Sequence, residues 1–211
     1  MSLASRRRNY ARAALDEAKL SRDPMLQFGE WFAEVERSEL AEPNAMTLAT
    51  ADARGRPSAR IVLFKGFDAE GFVFYTDYRS RKGRELESNP YAALVFHWME
   101  LERQVRVVGR VERVDEAQSL AYFRSRPIGS QLGAWASRQS AVLRDRSELD
   151  AQVARVKAEF AGRDIPLPPH WGGFRLRPDE VEFWQGRPDR LHDRILYTRG
   201  ADEWTQVRLS P

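Results

Sequence analysis

The sequence predicts a mainly β domain with peripheral helices, an α+β arrangement built on an antiparallel barrel. Three observations carry this expectation. About eight short runs rich in β-branched and aromatic residues are joined mostly by short links. The helical stretches fall between them without strict βαβ alternation, which argues against a doubly wound sheet. No G-x-G-x-x-G follows a strand and no G-x-x-x-x-G-K-[ST] occurs, so a phosphate would have to be held by side chains.

Ser5 to Arg22 is basic and polar, and residues 1–22 are expected to form a flexible arm ahead of a single domain, 23–211. Asp23-Pro24 opens an amphipathic helix in which Phe28, Trp31, Phe32 and Val35 recur at helical spacing. After Pro43 come three β-rich runs, Met46 to Thr50, Ala59 to Phe67 and Phe72 to Thr76. The turn segments Asp52-Ala53-Arg54-Gly55 and Asp68-Ala69-Glu70-Gly71 separate them, as in antiparallel hairpins. Ser80 to Ser88 has helix-forming composition and stops at Asn89-Pro90. Tyr91 to Trp98 and Arg103 to Val114 follow as longer strands, with Gly109 a candidate bulge. Asp115 is a candidate N-cap for a helix to about Ser125, ended by Pro127, and Ser147 to Phe160 offers another. Beyond a proline-rich bend at Ile165 to Pro169, strands are expected at Gly173 to Arg177, Glu180 to Gln185, Arg194 to Thr198 and Trp204 to Leu209.

Composition excludes several classes. No cysteine is present among the 211 residues, so disulfides, thiolate zinc sites and cysteine nucleophiles are impossible. The longest apolar runs fall far short of the ~20 residues of a membrane helix, and no signal-peptide core follows Arg6, Arg7 and Arg8, so a cytoplasmic protein is expected. A net charge of +3 is too mild to demand nucleic acid. Lysines occur only at 19, 65, 82 and 157, so arginine, whose planar fork suits phosphate and carboxylate, supplies most of the positive charge. His97, His170 and His192 are scattered and none lies in H-E-x-x-H, so no metal site is expected. The absence of G-x-S-x-G leaves a serine hydrolase equally unsupported.

Four constellations remain. Arg60 to Lys65 is an apolar strand with a cation at each end; either the ends reach solvent or the charges serve a site. Strict pleating would point the two cations to opposite faces, because they differ in parity. Ser80-Arg81-Lys82-Gly83 at a helix start could cradle an anion or be an ordinary solvated helix end. Tyr122, Arg126 and Ser130 recur at intervals of four and would come together if helical geometry continued past Pro127. The stretch Trp184 to Arg194 is the densest, combining an aromatic ring, three arginines and His192.

These strings, with Tyr75-Thr76, Leu101-Glu102-Arg103-Gln104-Val105, Tyr122-Phe123-Arg124-Ser125-Arg126-Pro127, Ser130-Gln131-Leu132-Gly133-Ala134-Trp135, Arg138-Gln139-Ser140, Trp171-Gly172-Gly173-Phe174, Glu182-Phe183-Trp184-Gln185-Gly186 and Arg190-Leu191-His192-Asp193-Arg194, resemble the pyridoxamine (pyridoxine) 5′-phosphate oxidase family. The resemblance runs in order from about Arg7 to the end. It implies an FMN-binding split β-barrel, a homodimer with FMN at the subunit interface, and oxidation of a phosphorylated B6 vitamer with molecular oxygen as acceptor. FMN would be held by Arg60, Tyr75, Thr76, Arg81, Lys82, Gln104, Gln139, Ser140, Trp184 and Arg194, some from the partner subunit. The substrate phosphate would meet Tyr122, Arg126 and Ser130, and Lys65 would stand with both sets. Arg190 and His192 would lie beside the carbon being oxidised, and Arg7 and Tyr10 would close the pocket from the arm. Asn9 stands where the resemblance leads one to expect an acidic residue. Phenazine-pathway flavin oxidases look similar over the same barrel, while a non-catalytic flavin- or haem-binding split barrel and a basic RNA-binding module are readings of another class.

Overall fold

A computed structural model describes residues 9–211. Arg7 lies outside the described residues. Caps place the helices where local chemistry predicts. Asp23 accepts from the Met25 N–H and Pro24 occupies the first turn, opening α1 (Pro24–Arg37), which buries Phe28, Trp31 and Val35. Ser80 caps α2 (Arg81–Ser88) through the Gly83 N–H, Asp115 caps α3 (Glu116–Ser125) through Gln118, and Asp145 caps α5 (Arg146–Glu159) through Glu148. Between α3 and α5 the chain forms a further helix, α4 (Ile128–Ala136), for which the sequence reading has no counterpart. Pro127 ends α3 and immediately starts α4, so Tyr122, Arg126 and Ser130 sit on two helices and the break between them rather than on one.

Among the described residues, nine strands form one antiparallel sheet: β1 (Ala45–Ala51), β2 (Pro57–Leu63), β3 (Gly66–Asp68), β4 (Gly71–Asp77), β5 (Tyr91–Trp98), β6 (Arg103–Arg113), β7 (Trp171–Gln185), β8 (Asp193–Arg199) and β9 (Trp204–Leu209). Their order is β2-β1-β5-β6-β7-β4-β3, with β8 on the far half of β7 and β9 outside it. Strands β2 and β3 are therefore at opposite ends of that path, although only Phe64 and Lys65 separate them in sequence. A flat sheet would hold them about 29 Å apart at ~4.8 Å per strand, whereas three residue steps reach at most about 11 Å. The sheet has to roll until its edges meet, and that closure makes the half-open barrel.

Two expectations about strands change. The run Ala59 to Phe67 is not one strand: the Phe64 N–H bonds to the Asn44 carbonyl beside β1, and the next amide, Lys65, bonds to Val73 on β4. The tail runs Gly173 to Arg177 and Glu180 to Gln185 are one strand, β7, because a bulge absorbs the Pro178-Asp179 interruption. The register shifts between Val108 and Gly109, where Gly109 faces Pro178 and Asp179 is the extra residue. A Cβ on Gly109 would lie 1.9 Å from the Arg177 carbonyl oxygen, which is why glycine stands there.

The core fills the roll. Phe28 is fully buried and meets the rings of Phe32, Phe64, Phe67, Phe72, Phe96 and Trp98 at centroid distances of 4.8–6.2 Å. Helix α1 thus plugs the barrel with the ring that most of the others touch. Phe28→Ala is expected to cost about 3–5 kcal/mol. Urea unfolding should show a lower midpoint with an unchanged slope; a loss under about 1 kcal/mol would mean that the cluster closes over the gap.

Candidate functional site

The seam where the sheet edges meet opens into a cavity of about 540 Å³. One wall is edge strand β2, which brings Arg60, Ile61 and Leu63; Lys65 stands just beyond its end. Strand β4 contributes Tyr75, Thr76 and Asp77, and α2 contributes Lys82. The remaining wall is Tyr122, Arg126, Ser130 and Gln139 with Trp171 at the start of β7. The parity conflict between Arg60 and Lys65 disappears, because the strand breaks between them and each cation belongs to a different edge of the roll.

Charge is concentrated on the α2 side. The buried Lys82 ammonium donates to Thr76 Oγ1 at 3.0 Å and Gln139 Oε1 at 2.9 Å. Burial, then the neighbouring Arg60, push Lys82 down to about 8, with Asp77 opposing. Arg60 donates to Thr50 Oγ1 at 2.6 Å, the Leu48 carbonyl at 3.2 Å and Ser58 Oγ, and pairs with buried Glu85 at 3.4 Å. Arg81 does not line the cavity; its Nε donates to Glu85 at 2.8 Å and its backbone N–H donates to Ser140 Oγ at 3.1 Å. Ser140 holds φ +69°, a left-handed conformation that costs a non-glycine residue about 1 kcal/mol or more.

The opposite side is aromatic with two cations. Tyr75 and Tyr122 stack at 3.9 Å, and Trp171 lies nearly parallel to both at 5.7 and 6.1 Å. Arg126 lies over the Trp171 ring at 4.6 Å, while the Lys65 ammonium is 5.8 Å from the Tyr122 ring. Among the described residues, Arg126 Nη1 is buried with no hydrogen-bond partner, and burial lowers the Arg126 pKa. A buried guanidinium nitrogen left unpaired is costly, and a hydrogen-bond acceptor that reached it would relieve that cost. Burial also raises the Tyr75 phenol, as does its Tyr122 neighbour, so Tyr75 stays protonated.

The other expected residues form a second cluster at the far end of β7. Trp184 on β7 pairs across the sheet with Gln104 and with Arg194. Tyr10 sets its ring 5.8 Å from both Trp184 and His192, which are 4.6 Å apart. Gly186 makes room, since a Cβ there would meet the Tyr10 side chain at 2.7 Å. His192 Nδ1 accepts from the Arg187 N–H at 3.1 Å, so the neutral ring carries its proton on Nε2. Burial and then Arg190 lower its pKa. Asp189 and Arg190 take φ +56° and +63° in succession, a local strain at the residue expected to face the substrate. Arg194 is held by the buried Glu182 through bonds of 2.8 and 3.1 Å.

Sequence reading missed the two carboxylates, Glu85 and Glu182, that hold site arginines. Only the i,i+4 spacing of Arg81 and Glu85 signals one of them. The two clusters do not meet within one chain. Tyr75 pairs with Gly173 and the second cluster begins at Trp184, eleven residues on, about 36 Å of strand at ~3.3 Å per residue. None of Tyr10, Gln104, Trp184, Arg190, His192 and Arg194 lines the cavity.

Residues 32–160 match the family described as pyridoxamine 5′-phosphate oxidase, and residues 171–211 match the pyridoxine 5′-phosphate oxidase C-terminal dimerisation region. The pyridoxine/pyridoxamine 5′-phosphate oxidase of Burkholderia lata is 58% identical over 213 residues, covering 100% of this chain and 99% of the relative; that of Burkholderia thailandensis gives the same figures. Among solved structures, PhzG from Burkholderia lata in complex with tetrahydrophenazine-1-carboxylic acid has TM-score 0.88 at 34% identity, covering 94% of this chain and 98% of that one. A pyridoxamine 5′-phosphate oxidase-related, FMN binding protein from Nostoc punctiforme shares the fold, with TM-score 0.71 at 21% identity and coverage of 92% and 99%.

The cavity cations carry a stability cost whose sign can be tested. Lys82 falls from 10.5 to about 8 on folding, so below about 8 both states are protonated and the full cost is present. Between about 8 and 10.5 the unfolded chain holds a proton that the folded one lacks, so stability rises with pH until the cost is gone. Lys82→Met should therefore stabilise the ligand-free protein by about 1–3 kcal/mol at pH 7, with the gain shrinking above pH 8. Thermal melts across pH measure this; a variant less stable at pH 7 would contradict it.

Proposed function

The chain belongs to the pyridoxamine 5′-phosphate oxidase family, and on that premise we propose that it oxidises pyridoxamine 5′-phosphate or pyridoxine 5′-phosphate to pyridoxal 5′-phosphate with FMN as cofactor, working as a homodimer. The observation that carries the reading is the cavity with two cationic ends: Lys82 and Arg60 at one, Lys65 and Arg126, whose Nη1 has no partner among the described residues, at the other. Two ligands that each bring a phosphate near −2 match such a site. The donor set fits FMN at the α2 end, where Arg60, Thr76, Arg81, Lys82, Gln139 and Ser140 gather. Lys65, Tyr122, Arg126 and Ser130 would take the substrate phosphate.

The second cluster enters through a partner subunit. Strand β2 buries none of its residues, and Ile61 and Leu63 leave an apolar cavity wall exposed. A second copy bringing Gln104, Trp184, Arg190, His192 and Arg194 over this wall would complete the site, as the match to a dimerisation region across 171–211 supports. Bound FMN would supply the two-electron acceptor, with molecular oxygen as the final acceptor. For the amine the balance is substrate, oxygen and water giving aldehyde, ammonia and hydrogen peroxide; for the alcohol, substrate and oxygen give aldehyde and peroxide. His192, neutral with its proton on Nε2, would donate a hydrogen bond from that atom towards the C4′ substituent, and Arg190 would orient the ring. Tyr10, packed on Trp184 and His192, would exclude water from that side.

A phenazine-type substrate is the second reading, supported by the likeness to PhzG. The compound in that complex carries a carboxylic acid, which needs fewer cations than a phosphate dianion. Purified protein loaded with FMN is expected to release hydrogen peroxide with pyridoxamine 5′-phosphate. A flavin spectrum without peroxide release would overturn the oxidase reading, and a protein that takes up no flavin would overturn the family-based chemistry.

Arg126→Ala should weaken binding of the phosphate ester about ten- to a hundredfold, since a hydrogen bond to a charged group is worth about 1.5–3 kcal/mol. Weak binding of unphosphorylated pyridoxamine should barely change. Equal losses on the two ligands would place the phosphate elsewhere.

A further inference from the structure

We infer that Glu85 is a positioning residue for the phosphate end of the cofactor site: one buried carboxylate fixes the guanidinium groups of Arg60 and Arg81 relative to each other. The inference rests on the flavin-phosphate reading above and deepens it. Glu85 is 5% exposed and sits on the inner face of α2. Its Oε2 accepts from Thr50 Oγ1 at 2.5 Å and Ser58 Oγ at 2.6 Å and lies 3.4 Å from Arg60 Nη2, while Oε1 accepts from Arg81 Nε at 2.8 Å. Thr50 and Ser58 face each other across β1 and β2, and both also receive bonds from Arg60. Helix, inner strand and edge strand therefore converge on one side chain. With four donors around it, the carboxylate is fully ionised despite its burial.

The arrangement is unexpected on charge alone. A negative charge beside a site for an anion lowers the attraction that Arg60, Arg81 and Lys82 exert. Its presence makes sense if geometry outweighs net charge. Arginine side chains lose much rotamer freedom when they bind, and Arg60 stands on an edge strand with no buried neighbour on its own strand. A fixed carboxylate removes that freedom before the ligand arrives.

The two accounts predict opposite signs. Glu85→Gln is nearly isosteric and removes only the charge. Quenching of flavin fluorescence on the apoprotein gives affinities for FMN and for riboflavin, which lacks the phosphate. If Glu85 positions the arginines, FMN should bind about tenfold more weakly while riboflavin changes less than about twofold. Tighter FMN binding would show that Glu85 only dilutes the positive charge, and equal losses on both flavins would show that it only supports the fold; either result overturns the inference. Ser58→Ala keeps the charge and deletes the hydroxyl between Glu85 and Arg60, so it should lower the FMN to riboflavin preference in the same direction. It decides the question should Glu85→Gln fail to fold, and an unchanged preference would overturn the inference. Parent protein with no preference for FMN over riboflavin would remove the phosphate reading itself, and the inference with it; that failure is seen before any variant is made.

Discussion

The two residues between β2 and β3 govern the rest of the structure. Phe64 finishes its pairing beside β1 and Lys65 begins pairing with β4, so one peptide step carries the chain from one edge of the sheet to the other. Only a rolled sheet permits that step. The same roll encloses the aromatic cluster around Phe28 and leaves a seam, and the cavity is that seam. Fold and site thus share one cause, since the break that closes the barrel also turns Arg60 and Lys65 towards the same space.

A seam lined this way is electrostatically expensive. Lys82 is pressed towards neutrality, Arg126 has a buried nitrogen with no partner among the described residues, and Arg60 adds a like charge nearby. Glu85 offsets part of this at one end; at the Arg126 end, the faces of Trp171 and Phe123 are what the guanidinium meets. Aromatic faces attract a cation more weakly than a carboxylate does, so the charge stays available to an incoming anion. The unliganded protein bears a cost that a phosphate would relieve, which is the pattern expected where stability has been exchanged for binding.

Local chemistry was legible in the sequence, and long-range pairing was not. Asp23, Ser80 and Asp115 cap the helices they announce, because a cap is decided within four residues. Strand β7 reads as two pieces because Pro178 and Asp179 break its local pattern, and only the opposing Gly109 shows that they form a bulge. Helix α4 hides behind Pro127, which reads as a stop but also serves as a start. The site residues came from a resemblance that supplies positions without partners. Glu85 and Glu182 were invisible because their meaning lies in the arginines they reach across strands and helices.

The division of the site between the two ends of β7 has a thermodynamic consequence under the proposed reading. A ligand that touches the cavity of one subunit and the Trp184 cluster of another binds only the assembled pair, so its binding free energy adds to that of association. A protomer alone offers an open wall with Ile61 and Leu63 exposed, and in the proposed pair that wall would become an interior surface. Cofactor and partner would then stabilise each other through the same residues. Edge strand β2, which pairs only with β1 among the described residues, would otherwise be a hazard for unregulated pairing. Covering it with a subunit that completes the site would turn that liability into the means by which a half-open barrel could enclose a flavin.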